Sequence, residues 1–281
     1  MFFSKKTTTR FSNSRVLSGT LIIGLLFACA SNLAISATTT LPEWNYDDKA
    51  GTGPSYWGTL TTADGQLAYE TCGTGREQSP IDLTNPTFKN TDDIDTHYKS
   101  WSLNVENNGH TIQINMAPGS TLDIEGETYY LLQFHFHGDS EHTVNGGHEP
   151  VEMHFVHMNS KGELAVLGVF IEEDRHDKPN AQIAAILQLA PEEVGKNNIA
   201  HNVVKASELL PGKSIDSFWY YHGSLTTPPC TEGVKWYVAK EHIYASHEQI
   251  EGLKELLQHH GIPNYRPTQP LNDRVLHESV R

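Results

Sequence analysis

His135 and His137 stand two apart in the run Leu131-Leu132-Gln133-Phe134-His135-Phe136-His137, and imidazoles at this spacing can share a metal ion. Side chains alternate along an extended strand, so Gln133, His135 and His137 fall on one face and Leu132, Phe134 and Phe136 on the other. Two imidazoles about 6.5 Å apart along a strand can both reach one ion at roughly 2.0–2.1 Å per Zn–N bond when a third ligand arrives from elsewhere. A lone His-x-His is more often a half-exposed strand with solvated histidines, so the rest of the chain has to decide. A second alternating run, Val151-Glu152-Met153-His154-Phe155-Val156-His157, sets Glu152, His154 and Val156 on one face. His154 is thereby the candidate third ligand. Three neutral imidazoles leave one position of tetrahedral zinc open, as in catalytic sites, whereas structural zinc is closed by four protein ligands. Ligand histidines usually donate their second N–H to an oxygen acceptor that fixes the ring. Gln133 beside His135 and Glu152 beside His154 have the same-face placement for this. The plainer alternative pairs Glu152 with an unrelated base, since a carboxylate on an inner face needs some partner.

Strands must carry both runs, and the pattern predicts them at residues 111–115, 129–137, 151–158, 164–171 and 234–238, separated by Gly/Asn/Pro/Asp clusters. Helical periodicity is confined to 181–190, stopped by Pro191, and 246–260, with a Ser246-x-x-Gln249 capping box and Gly261 as its stop. His259 and His260 end that helix, where adjacent side chains diverge and a cation suits the C-terminus, so they are not counted as ligands. With no internal repeat or long linker after residue 40, the expectation is one mainly β (α+β) domain: a large, mostly antiparallel central sheet with a few peripheral helices.

The first 37 residues stand apart. Lys5, Lys6, Arg10 and Arg15 flank an apolar run from Val16 to Ala30, and small residues follow up to Ala37, the layout of a cleaved secretory signal peptide. The run falls short of the ~20 apolar residues a membrane span needs. The expected division is a signal peptide at 1–37 and a catalytic domain at 38–281, with a periplasmic or secreted product. Leu26-Phe27-Ala28-Cys29 loosely resembles a bacterial lipid-attachment box, leaving lipid anchoring through Cys29 as the less favoured route. Cleavage removes four positive charges and no negative one, deepening the net charge from −14 to −18, which argues against a nucleic-acid partner. Cys72 and Cys230 then remain; an even pair in an exported chain reads as a disulfide, with two buried thiols as the alternative.

Several ordered runs carry a resemblance: Gln133 to His137, Ser140-Glu141-His142-Thr143-Val144, Glu152 to His157, Gly223 to Gly233 with Thr226-Thr227-Pro228-Pro229, Asn107-Asn108-Gly109-His110, and Tyr265-Arg266-Pro267-Thr268-Gln269-Pro270-Leu271. From about Trp44 to the C-terminus the sequence resembles the α-class carbonic anhydrases, bacterial and exported in type. The resemblance implies one Zn2+ per chain on His135, His137 and His154, and reversible hydration of CO2 to bicarbonate and a proton by zinc-bound hydroxide. It implies that Thr226 and Glu141 orient that hydroxide and that Val156, Val166, Leu225 and Trp236 wall the CO2 pocket, with Thr226 and Thr227 facing bicarbonate. Asn264 would offer its backbone carbonyl to His137. His110 would shuttle the proton along water ordered by Tyr46 and Asn108, with Gln113 at a position usually held by asparagine. Cys72 and Cys230 match the disulfide of exported members. Small molecules (CO2, bicarbonate, water) are the expected partners, and a homodimer stays open. Two other readings stand beside this one, a catalytically silent binding protein on the same fold and a zinc esterase.

Overall fold

The computed structural model of the protein describes residues 40–258 and 261–279. The expected export segment at 1–37, Cys29 within it, and the pair His259-His260 lie outside the described residues. From Thr39 onward the chain forms one compact unit. Among the described residues, no helix is long and apolar enough to cross a membrane.

Ten strands in chain order carry the argument: β1 (Trp101–Asn107), β2 (Ile112–Asn115), β3 (Glu127–His137), β4 (Val151–Met158), β5 (Leu164–Glu173), β6 (Lys196–Val204), β7 (Phe218–Ser224), β8 (Glu232–Ala239), β9 (Ile243–Ala245) and β10 (His277–Ser279). The helices are α1 (Thr71–Thr74), α2 (Ala181–Leu189) and α3 (His247–Leu257). The main sheet, fourteen strands among the described residues, runs β6-β1-β2-β3-β4-β5-β8-β7-β10, ending on the short strand Thr87–Phe88. The sheet is mixed: β5 pairs parallel with both β8 and β9, and β10 pairs parallel with Thr87–Phe88, while β1 to β5 are joined antiparallel. Sequence alternation reports which face a side chain takes but not which strand lies alongside, so these parallel junctions were not legible in it.

Both faces of the sheet are buried at its centre. Phe134, Phe136, Met153, Phe155, Leu167 and Val169 join one core cluster, covered by Ile250, Leu253 and Leu257 of α3. Val166, Phe170, Trp236 and Val238 join a second cluster on the opposite face. That is why β5 reads as a continuous apolar run rather than an alternation. Leu132 departs from the expected pattern, being 40% exposed: the pairing with β4 skips it, Val156 facing Gln133 and His157 facing Leu131, and this bulge shifts the alternation so that Tyr129 and Leu131 join the core on one side of it and Phe134 and Phe136 on the other.

α3 begins as the capping box predicts. Gln249 N donates to Ser246 Oγ and Ser246 N donates to Gln249 Oε1. Gln249 also ties α3 to α2, accepting from Asn180 N and donating from Nε2 to Asn180 O, while Asn180 Oδ1 caps α2 by accepting from Gln182 N and Ile183 N. α3 stops at Leu257, three residues before the expected end, because Gln258 turns extended (φ −81°, ψ 136°). The Cys72–Cys230 disulfide is formed, closing a sequence separation of 158 residues.

Candidate active site

β3 and β4 lie side by side with His135 directly opposite His154 and His137 opposite Glu152. The antiparallel register therefore brings together what the two alternating runs supply separately. His135, His137 and His154 each offer a ring nitrogen, and these three atoms all lie within 4.8 Å of one another. His137 and His154 are 1% exposed.

Each ring is oriented through its other nitrogen. His135 Nδ1 is 2.8 Å from Gln133 Oε1 and His137 Nδ1 is 2.7 Å from the carbonyl oxygen of Asn264. His154 is held the other way round: its Nε2 lies 2.9 Å from Glu152 Oε1, approaching off the N–H line. The nitrogens left to converge are Nε2 of His135 and His137 and Nδ1 of His154. Asn264 is itself fixed, its Oδ1 accepting from Gly138 N and its Nδ2 donating to the carbonyls of Phe136 and His110.

Glu152 serves more groups than the same-face argument foresaw. Its Oε2 accepts from the backbone N–H of Glu141 and of His142, both at 2.9 Å, and its Oε1 is 2.7 Å from His142 Nδ1. His142 continues to Tyr221 Oη at 2.7 Å, and Tyr221 donates to Ser79 Oγ at 2.9 Å. Gly168 faces His154 across β4 and β5, and a Cβ there would stand 2.9 Å from Glu152 Oε1. Burial opposes the charge on Glu152, but His142 and His154 outweigh it and hold this carboxyl well below the usual range.

Burial and its histidine neighbours hold His135 well below the ordinary imidazole pKa, and burial also lowers His137 against the pull of Glu141. His154 moves the other way, because Glu152 and Glu141 outweigh its burial. Neutral imidazoles are what a divalent ion requires, and a proton held by His154 is one that metal would displace. Buried His137 Nε2 has no hydrogen-bond partner among the described residues. An unpaired buried nitrogen is costly in a folded protein, and three converging nitrogen donors are a zinc set. The residues fit that ion.

Glu141 is fully buried. Its Oε1 accepts from Arg266 N at 2.8 Å, while Oε2 faces the converging nitrogens, 3.5 Å from His137 Nε2 and 3.8 Å from His154 Nδ1. No hydrogen bond joins Thr226 to Glu141, whose Oε2 has no partner among the described residues; Thr226 is buried at 6% exposure. Val166 and Trp236 are buried in one apolar cluster, against which Val156 and Leu225 pack. Trp236 sets its ring edge-on to His154 at 4.8 Å. Thr227 is half-buried, and its carbonyl accepts from Cys230 N, tying this loop to the disulfide.

His110 stacks flat on Trp44, with ring centroids 3.7 Å apart, and lines an open cleft with Tyr46, Thr111 and Asn264. Burial and Glu141 push the Tyr46 hydroxyl well above its ordinary pKa, keeping it protonated. Asn108 Oδ1 accepts from His110 N and Thr111 N, so it shapes the turn that presents His110. Gln113 turns to Asn115, donating from Nε2 to Oδ1 at 2.6 Å.

Comparison with known proteins agrees with this geometry. The sequence profile of the family described as eukaryotic-type carbonic anhydrase matches residues 52–280. The chain belongs to the carbonic anhydrase family. A carbonic anhydrase of Pectobacterium carotovorum is 36% identical over 92% of this chain and 99% of its own length. Among solved structures, an α-carbonic anhydrase from Thermovibrio ammonificans in complex with sulfanilamide is similar at TM-score 0.75 and 38% identity, covering 84% of this chain and 98% of the other. Dioscorin DB3L of Dioscorea polystachya is 32% identical over 94% of this chain and 95% of its own length.

Sequence reasoning assigned no role to three supports of this carbonic anhydrase site. His142 and Tyr221 extend the Glu152 network, and Arg266 is buried at 1% exposure, donating to Gln78 Oε1, Ser79 O and Cys72 O. Burial brings the Arg266 guanidinium down to about 10. His142 adjoins Glu141 and Arg266 sits in the Tyr265–Leu271 run, but the carbonyls around Arg266 come from segments nearly 200 residues away, which no local spacing announces.

Proposed function

We propose that this carbonic anhydrase uses zinc to hydrate CO2 reversibly to bicarbonate and a proton, with His135, His137 and His154 as the metal ligands. The convergence of three imidazole nitrogens within 4.8 Å, each ring turned by an acceptor on its other nitrogen, carries the reading. Zinc bound there supplies a Lewis acid that lowers the pKa of water to about 7, a value taken over from carbonic anhydrases themselves.

The protein residues do the rest. Gln133, Glu152 and the Asn264 carbonyl hold the ligand tautomers. Val156, Val166, Leu225 and Trp236 form an apolar wall suited to a substrate without charge. With zinc bound, Thr226 would accept a hydrogen bond at its Oγ1 and donate its own hydroxyl hydrogen to Glu141 Oε2, an acceptor without a partner among the described residues, and Thr227 would contact the product anion. The His110 imidazole takes the released proton to solvent from the cleft edge, through water ordered near Tyr46 and Asn108. Imidazole titrates near neutrality, which suits it to this task. Residues 1–37 direct export and 38–281 form the catalytic domain, a reading supported by the Cys72–Cys230 disulfide, since such bonds persist in oxidising compartments.

The test is His154→Ala, assayed for zinc content and for CO2 hydration by stopped flow with a pH indicator. Zinc and activity should fall together. A zinc-free variant that hydrates CO2 at the wild-type rate would overturn the assignment, and wild-type protein holding zinc with no hydration activity would favour a binding role for the fold.

A further inference from the structure

A second set of ligating side chains lies apart from the first and shares no residue with it. Glu149, Glu172 and His242 each present one ligand atom, all within 4.8 Å of one another. Three neighbouring segments deliver them. Glu172 is near the end of β5, two residues beyond Phe170, which pairs with Glu152. His242 immediately precedes β9, whose Ile243 and Tyr244 pair with Ile171 and Glu172. Glu149 precedes β4 and is pinned through its backbone, its N–H donating to Ser140 Oγ and its carbonyl accepting from Ser140 N.

The side chains are held as well. His242 Nδ1 is 3.0 Å from Glu172 Oε1, and its ring meets Phe170 edge-on at 5.4 Å. The carboxyl groups of Glu149 and Glu172 each bring an oxygen within 4.8 Å of the other, and burial, with the neighbouring charge of Glu172, raises the pKa of Glu149 against the pull of His242. Among the described residues, neither carboxylate has a lysine or arginine within ion-pair distance; the one basic group there is His242. Two half-buried carboxylates pressed together without a fixed cation repel each other, and a divalent ion between them would remove that repulsion.

We propose that Glu149, Glu172 and His242 form a second metal site, selective for a first-row divalent transition ion such as Zn2+. The imidazole decides the class: Ca2+ and Mg2+ take oxygen ligands almost throughout, whereas one nitrogen and two carboxylate oxygens suit zinc and its neighbours. All three side chains are half-buried rather than sealed, so the ion can enter and leave, and the site is weaker than one built of three buried imidazoles.

Equilibrium dialysis of untagged protein against zinc from micromolar to millimolar, with bound metal counted by mass spectrometry, tests this. Wild type should bind one more equivalent than either His242→Ala or Glu172→Gln, and millimolar Mg2+ or Ca2+ should leave that equivalent in place. The quantity read is a difference of one, so it stands whatever His135, His137 and His154 hold. Retained CO2 hydration, or an unchanged circular dichroism spectrum, shows that the variants fold. Equal zinc binding by wild type and both folded variants would overturn the proposal, and displacement by Ca2+ would overturn the metal class.

Discussion

Glu152 lies at the meeting point of three claims: it orients His154, it accepts from the backbone of Glu141 and His142, and it joins His142 to the Tyr221–Ser79 chain. One carboxylate thereby couples the candidate ligand His154 to the segment bearing Glu141. His110 is built differently. It rests on Trp44 at a cleft edge, in the turn before Ile112 rather than on the strands that carry His135, His137 and His154, so its removal should spare CO2 addition and slow proton release. His110→Ala is expected to lower turnover in dilute buffer by about tenfold or more, to recover with added imidazole, and to leave kcat/KM nearly unchanged. Equal turnover in the two proteins would take the proton-carrying role away from His110.

Strand register is what turns separate histidines into a site. Alternation placed His135, His137 and His154 on usable faces, and β4 spans the residues its pattern predicted. What alternation lacks is the partner: nothing in either run says that His135 stands opposite His154, or that β5 meets β8 in parallel. The three converging histidines, with Gln133 and Glu152 beside them, were thus legible from residue type and spacing, and the Asn264 carbonyl from the family resemblance. The buried arginine, the His142–Tyr221 extension and the second cluster at Glu149, Glu172 and His242 were not, because each depends on segments that meet only in the folded sheet. Gly168 is such a contact. A Cβ there would press on Glu152 Oε1 at 2.9 Å, so Gly168→Ala should displace this carboxylate and weaken zinc binding by about 10–100-fold, the usual cost of losing a ligand's partner. Competition with a chromogenic chelator measures it, and unchanged affinity would show that β5 yields without disturbing Glu152.

At the scale of the whole molecule, the disulfide and acid sensitivity decide how the fold endures. Bridging 158 residues removes enough freedom from the unfolded chain to contribute up to about 5 kcal/mol in the chain-entropy view. His157 works against stability in acid. Buried on the core face beside Tyr98, 2.6 Å from its hydroxyl, it is lowered by burial to about 4. Unfolded, it titrates near 6.5, so between these values the unfolded chain binds the extra proton. Stability from this group is complete above about pH 6.5 and falls away as the pH drops toward 4, by about 3 kcal/mol in all. His157→Asn should flatten the urea midpoint against pH across this window; a curve parallel to wild type would contradict the assignment. The central claim, however, is zinc-dependent CO2 hydration by the His135, His137 and His154 set. Adding zinc back to chelator-stripped protein while recording stopped-flow CO2 hydration tests it most directly. The rate should climb from near the uncatalysed level and level off once the first equivalent is bound, whereas a rate indifferent to zinc would contradict the account.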